Sequence, residues 1–304
     1  DAVLQADTLK AKHLYYLAWA YQNQYNFNKS INLLKKAHKI DTSNFRIIRL
    51  LGNSYIKCGQ TKKAINLFKS KYKTDSSNLW LANKLAELYH QTENYPKSIT
   101  IYQNLIQRDS SNYYFYKKLG NGLIKADKKK EAREAYLSAL KLNPNDLSLY
   151  SKLGNLFIKT KEPQKALKMA HSGLKKDTTN ADLFTIAGYT HFKLSHFDTA
   201  SHYFSKSLKY GDSTQLRLKY SGLSNYKMKN PEVSVNYLKS AYKKDTTDLQ
   251  VMVFLGSALG QTGKADKGLD YMFKSLEMIK PDNESLKLIN SEIANIYSIK
   301  NKPK

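Results

Sequence analysis

Small residues recur every 34 positions along this chain, and large apolar ones keep a fixed distance from them. Stepping by 34 from Ala18 reaches Gly52, Ala86, Gly120, Gly154, Gly188, Gly222 and Gly256. Twelve residues after each of the eight stands another small residue: Ser30, Ala64, Ser98, Ala132, Ala166, Ala200, Ser234 and Gly268. Sixteen residues after the first small position come Leu34, Phe68, Tyr102, Tyr136, Phe204, Leu238 and Met272, with Ala170 as the exception. Just before it stand Leu17, Leu51, Leu85, Leu119, Leu153 and Leu255, with Ala187 and Ser221 departing. Two antiparallel helices approach closely only where side chains are small, so Gly or Ala on a first helix meets Ala or Ser on a second, and the large residue fills the gap. One such hairpin cannot bury both faces, so each needs a neighbour and the pattern predicts a stack.

The connections between repeats carry an independent signal. Asp41-Thr42-Ser43-Asn44, Asp75-Ser76-Ser77-Asn78, Asp109-Ser110-Ser111-Asn112, Asn143-Pro144-Asn145-Asp146, Asp177-Thr178-Thr179-Asn180 and Asp245-Thr246-Thr247-Asp248 each end in a residue suited to cap the next helix. Gly211-Asp212-Ser213-Thr214 breaks the linker pattern, and Tyr226 falls one place beyond the expected aromatic, so the seventh repeat is expected to be slightly distorted. After Ile279-Lys280-Pro281-Asp282 the register slips, and residues 284–299 read as one amphipathic capping helix.

The pattern resembles that of the tetratricopeptide-repeat (TPR) family, W-x2-L-G-x2-Y followed by A-x3-F, A and P. Only Pro144 keeps the family's turn proline, with Ser or Thr usually in its place. The resemblance implies an all-α, right-handed TPR superhelix (an α-solenoid) of about eight helix-turn-helix repeats plus a C-terminal capping helix. The expected organisation is one domain over 1–304, with repeats at 11–44, 45–78, 79–112, 113–146, 147–180, 181–214, 215–248 and 249–282.

Composition adds little to this picture except charge. Of 304 residues, 41% are hydrophobic and 25% charged, which excludes general disorder, and 6 Pro with 13 Gly give too few turns for a sandwich or barrel. The net charge of +25 favours acidic proteins, nucleic acid or anionic lipid as partners. Only Arg46, Arg49, Arg108, Arg133 and Arg217 are arginines, although arginine is the residue of choice for bidentate phosphate contacts, so the scattered lysines read chiefly as solvation of outer helix faces. Cys58 is the only cysteine, which excludes an internal disulfide and a thiolate metal cluster. No run approaches the length of a membrane span, and the expectation is a soluble chain. It begins at Asp1 without methionine and ends at Asn301-Lys302-Pro303-Lys304, which suits a trimmed piece or a mature form without its targeting signal, so both cytoplasm and periplasm or cell envelope stay open.

No nucleophile elbow, H-E-x-x-H motif or phosphate-cradling glycine loop is present, so the sequence reads as a non-enzyme with no cofactor. His191, His196 and His202 are the best candidates for a metal site, but spacings of five and six do not put them on one helical face, and no metal is expected.

In TPR proteins the first helices of successive repeats line the concave face. On that mapping the groove of repeats 2 to 5 carries Arg46, Arg49, Asn53, Lys57, Trp80, Asn83, Tyr114, Lys117, Asn121, Lys125, Asn155 and Lys159, with Glu87 as an acid among them. Lysines suit carboxylates, amides suit peptide backbone, and rings suit apolar side chains, so an extended acidic peptide is the expected guest. The pairs Arg49/Asn53 and Lys117/Asn121 resemble half of the carboxylate clamp of chaperone-binding TPR domains. Lys84 and Lys152 replace the clamp's next asparagine; Lys118 fits its last position after the first pair, whereas Asp182 and Ile186 fail after the second. The plainer reading of each residue is an ordinary exposed polar side chain. The expected function is a protein-interaction scaffold; the alternatives are nucleic-acid or anionic-surface binding and a sensory or docking region of a larger protein.

Overall fold

A computed structural model of the chain describes residues 2–278 and 283–300, with backbone alone at 2–6 and 283. The slip in register expected at Ile279-Lys280-Pro281-Asp282 lies outside the described residues, as do 301–304. Among the described residues there are helices and no strands. First helices of the hairpins are α1 (Ala2–Asn23), α3 (Phe45–Lys57), α5 (Leu79–Gln91), α7 (Tyr113–Lys125), α9 (Leu147–Lys159), α11 (Ala181–Lys193), α13 (Gln215–Lys227) and α15 (Leu249–Gln261). Their partners are α2 (Phe27–Ile40), α4 (Thr61–Thr74), α6 (Tyr95–Arg108), α8 (Lys129–Leu142), α10 (Pro163–Leu174), α12 (Phe197–Tyr210), α14 (Pro231–Lys244) and α16 (Ala265–Met278). The last helix, α17 (Asn283–Lys300), packs buried Ile289 and Ile296 against Val253, Leu269 and Met272, and so covers the apolar face that α15 and α16 would otherwise leave open. The helices fall into two compact units, one ending at Leu142 and the other beginning at Asn143.

Within a hairpin the large residue packs directly onto the small one. A Cβ on Gly52 would run into the fully buried ring of Phe68, and one on Gly222 would stand 2.5 Å from Leu238 Cγ. Direct contact between the two small positions occurs where Gly256 meets the backbone oxygen of Gly268, 2.8 Å from the position a Cβ would take. It also occurs where the Ser234 hydroxyl donates to the Gly222 carbonyl at 2.9 Å. Ala170 breaks the volume pattern, and Ile186 of α11 takes over: its Cγ2 lies 2.9 Å from where a Gly154 Cβ would be.

The seventh hairpin keeps ordinary helix lengths, and the departure expected from the sequence falls in the linker before it, where Gly211 and Thr214 are extended. Its first helix, α13, has 13 residues like α11 and α15. Asn225 takes the buried place of the missing aromatic, with its amide donating to Ser201 Oγ (3.1 Å) and to the Ser221 carbonyl (2.8 Å). Tyr226 turns instead to Phe254, ring centroids 5.1 Å apart. Thr214 caps α13 from the irregular linker.

The other linkers cap as expected: Asn44, Asn78, Asn112, Asp146, Asn180 and Asp248 accept bonds from first-turn amides, each worth about 1 kcal/mol. The aspartate opening a linker closes the turn itself. Asp177 accepts from the Thr179 hydroxyl (2.7 Å) and amide (2.9 Å), and Asp245 does the same with Thr247. These bonds hold both carboxyls below the usual aspartate range. A group depressed in the folded state contributes stability above its unfolded pKa and loses it as pH falls through the folded one. Melting temperature should therefore drop as pH is lowered from about 5 towards 3, and Asp177→Asn with Asp245→Asn should flatten that slope; unchanged slopes would deny these turns the role.

A further 34-residue series lies in the backbone. Tyr25, Gly59, Glu93, Asp127, Lys161, Ser195, Lys229 and Gly263, one per hairpin turn, all have φ between 57° and 77°. Nothing stands within 4 Å of where a Cβ on Gly263 would sit, so the effect of Gly263→Ala isolates the backbone term. It should destabilise by about 1–2 kcal/mol in denaturant titration. The same turns explain several lysines. Lys29, Lys63, Lys97 and Lys165 lie over the rings of Tyr21, Tyr55, Tyr89 and Phe157 at 5.2, 6.0, 5.4 and 5.8 Å, each ammonium eight residues after its ring.

Candidate functional site

In the first unit, α3 and α5 bring three of the expected residues together. Arg49 lies over the Trp80 ring with 5.9 Å from Cζ to centroid, and Asn53 stands one turn further along α3. Trp80 is braced from behind by Phe45 and Phe68, edge-on at 5.5 and 5.8 Å. These residues line a cavity of about 250 Å³ whose remaining wall is α1, through Tyr15, Trp19 and Gln22. Gln22 is fixed by its amide, which donates to Ser54 Oγ at 2.7 Å and to the Leu50 carbonyl at 3.3 Å. The α1 wall was missed in the sequence, although stepping back by 34 from Arg49 and Asn53 lands on Tyr15 and Trp19.

Between α5 and α7 the charges are already engaged. Glu87 accepts from the Tyr114 hydroxyl at 2.7 Å and pairs with Lys84 at 3.5 Å and Lys118 at 3.4 Å. Burial alone would raise the Glu87 pKa, but the Tyr114 bond and the Lys118 and Lys84 charges outweigh it and hold the carboxyl below its ordinary value. Lys118, the residue that fits the last clamp position, therefore has a carboxylate partner within its own unit. His90 borders the same cavity of about 210 Å³; burial, then the Lys118 and Lys125 charges, lower its pKa.

The amides are anchored rather than loose. Asn83 accepts from the Tyr102 hydroxyl at 3.2 Å and Asn121 from the Tyr136 hydroxyl at 2.9 Å, in each case tying a first helix to the large residue of its repeat. Lys117 is half-buried on α7, and Arg46, Lys57 and Lys125 are exposed on α3 and α7.

The second unit holds Asn155 and Lys159, exposed on α9, at the edge of a larger cavity of about 550 Å³. Its other walls are α11 and α13, beyond the repeats the sequence singled out. Ile158, Ile186 and Leu216 supply apolar surface, and Tyr189 meets Tyr220 edge-on at 4.8 Å. Arg217 is buried beside it and donates to Asp182 (2.7 Å), Thr185 (3.0 Å) and the Asp212 carbonyl (2.8 Å). The irregular linker thus forms around a buried guanidinium, and the pocket contains a neutralised pair as well as Lys159.

His191 and His196 come together, contrary to the spacing argument, which assumed one continuous helix. A turn intervenes, with Ser195 at φ 61°, and the two Nδ1 atoms stand 3.4 Å apart. His191 is stacked on Tyr203 at 5.5 Å and 7°, and the Tyr203 hydroxyl lies 3.0 Å from His171 Nε2. Among the described residues no group of three or more His, Cys, Asp or Glu side chains could hold a metal ion. No helix of the described residues is long and apolar enough to cross a membrane.

No family model and no curated protein matches the chain. Solved structures do. A chain of the APC/C hetero-tetramer Cut9-Hcn1 matches over 88% of this chain at 14% identity and a TM-score of 0.61, and this chain spans 52% of its length. YrrB, described as a TPR protein with an unusual peptide-binding site, matches over 62% of this chain and 96% of its own at 17% identity and a TM-score of 0.52. PilF of Pseudomonas aeruginosa matches over 62% of this chain and 90% of its own, at 17% identity and a TM-score of 0.51. At these identities the likeness concerns the fold.

Proposed function

We propose that this chain, whose fold is that of the tetratricopeptide-repeat proteins, is an interaction scaffold that binds an extended, acidic peptide segment of a protein partner along its first helices. The observation that carries this reading is the cavity in which Arg49 lies over Trp80 beside Asn53 and Trp19. A guanidinium held against an indole keeps its N–H edge for a carboxylate, the amide suits a peptide group, and the second indole offers a flat apolar wall. Arg46, Lys57, Lys117 and Lys125 extend the positive field along α3 and α7. In the second unit Asn155 and Lys159 beside Tyr189 and Tyr220 offer the same combination of amide, cation and ring. YrrB, with its peptide-binding site, is a precedent for this use of the fold.

Both tryptophans of the chain, Trp19 and Trp80, line the one cavity, so intrinsic fluorescence reports its occupancy. Titration with a panel of extended peptides rich in Asp and Glu with interspersed apolar residues should give a saturable change that survives moderate salt. A flat signal across the panel, alongside single-stranded RNA binding that weakens steeply with salt, would replace this reading with phosphate binding.

A further inference from the structure

The fifth hairpin carries Ala170 where its neighbours on either side carry Tyr136 and Phe204. In the fourth hairpin the Tyr136 hydroxyl donates to Asn121 and ties that amide to its own repeat. Asn155 holds the same position on α9, 34 residues on, but Ala170 has no hydroxyl to offer, and the Asn155 amide has no partner among the described residues. It is exposed at the edge of the cavity of about 550 Å³ between α9, α11 and α13. That volume lies within the roughly 300–1,000 Å³ of clefts that enclose a ligand of drug size. Its walls are largely apolar and aromatic: Ile158, Ile186, Leu216 and the edge-on pair of Tyr189 and Tyr220.

Charge is segregated along this groove. Arg217 and Asp182 pair with each other, which leaves Lys159 as the uncompensated charge of the cavity. Ile158, Lys159 and Tyr189 also form one side of a second cavity, of about 420 Å³, to which Lys161 and Lys193 contribute. Both lysines are exposed, and no acid among the described residues lines that second cavity. The geometry points to a groove for one aromatic side chain flanked by carboxylates, on a peptide segment of a partner protein. The ring enters between α9, α11 and α13, the Asn155 amide holds the adjoining peptide group, and Lys159, Lys161 and Lys193 hold the acids. An edge-to-face tyrosine pair among aliphatic side chains suits a further ring, an amide with donor and acceptor both free suits peptide backbone, and ammonium groups suit carboxylates. The assignment rests on the chain's binding acidic peptides and adds the residue that selects one segment over another.

A fluorescein-labelled peptide with a single Phe between Asp and Glu residues, and its counterpart with Ser for Phe, are titrated with the full chain by fluorescence anisotropy. The Phe peptide should bind at least about 10-fold more tightly, as burial of its ring implies. Leu216→Asp, at an exposed position on the apolar wall, should abolish that preference, and Asn155→Ala should weaken the Phe peptide by about 2- to 10-fold. Melting curves equal to that of the parent show that the variants fold. With photoreactive benzoylphenylalanine in place of Phe, irradiation should attach the peptide to α9, α11 or α13. Binding without a Phe preference, a preference that Leu216→Asp leaves intact, or attachment only elsewhere in the chain would overturn this pocket alone. No binding by either peptide would overturn the acidic-peptide reading along with it.

Discussion

Phe68→Ala is expected to destabilise the first unit by about 3–5 kcal/mol, measured by denaturant unfolding. The ring is fully buried, lies on Gly52 and meets Trp80 edge-on at 5.8 Å, so truncation opens a void between α3, α4 and α5. A second substitution makes the prediction specific. Gly52→Ala in the native background drives a methyl into the ring and should cost about 1–3 kcal/mol by overpacking. In the Phe68→Ala background the ring is gone, so the same change should be far milder, and strictly additive losses would disprove the direct contact. Because Phe68 also braces Trp80, its loss should change tryptophan fluorescence before any peptide is added.

Reversing charge on the first helices should have the largest effect on binding. Charge-assisted hydrogen bonds contribute about 1.5–3 kcal/mol each when well formed, so Arg49→Glu with Lys117→Glu should weaken an acidic peptide by at least about 100-fold. The control pair, Lys35→Glu with Lys36→Glu, changes net charge equally on exposed positions of α2 and should matter little beyond the long-range field. Equal losses from both pairs, read by fluorescence titration at fixed salt, would reduce the interaction to non-specific attraction.

The fold was legible because its packing rule is written in side-chain volume. Gly52 with Phe68 or Gly222 with Leu238 shows as small and large at a fixed interval, and the linker aspartates and asparagines announce helix starts by their chemistry. In the seventh repeat the linker departure was legible, but the accommodation of Asn225 was not, because its buried amide is satisfied partly by Ser201 of the neighbouring helix, a partnership that no local pattern displays. The candidate site was half legible. Arg49, Asn53 and Trp80 follow from the register, whereas the pairing of Lys84 and Lys118 with Glu87 depends on which rotamers meet across two helices. The approach of His191 to His196 was hidden for a different reason: helical-face arithmetic does not hold across a left-handed turn.

Eight hairpin elbows share one backbone geometry while displaying Tyr, Gly, Glu, Asp, Lys and Ser, and none of those types is β-branched. The bend is kept there while the side chain varies, at the cost a left-handed backbone imposes on any residue but glycine and with branching at Cβ absent. A combinatorial library randomised at these eight codons should enrich glycine, asparagine and aspartate, shed valine, isoleucine, threonine and proline, and leave the spacing of the surrounding helices unaltered.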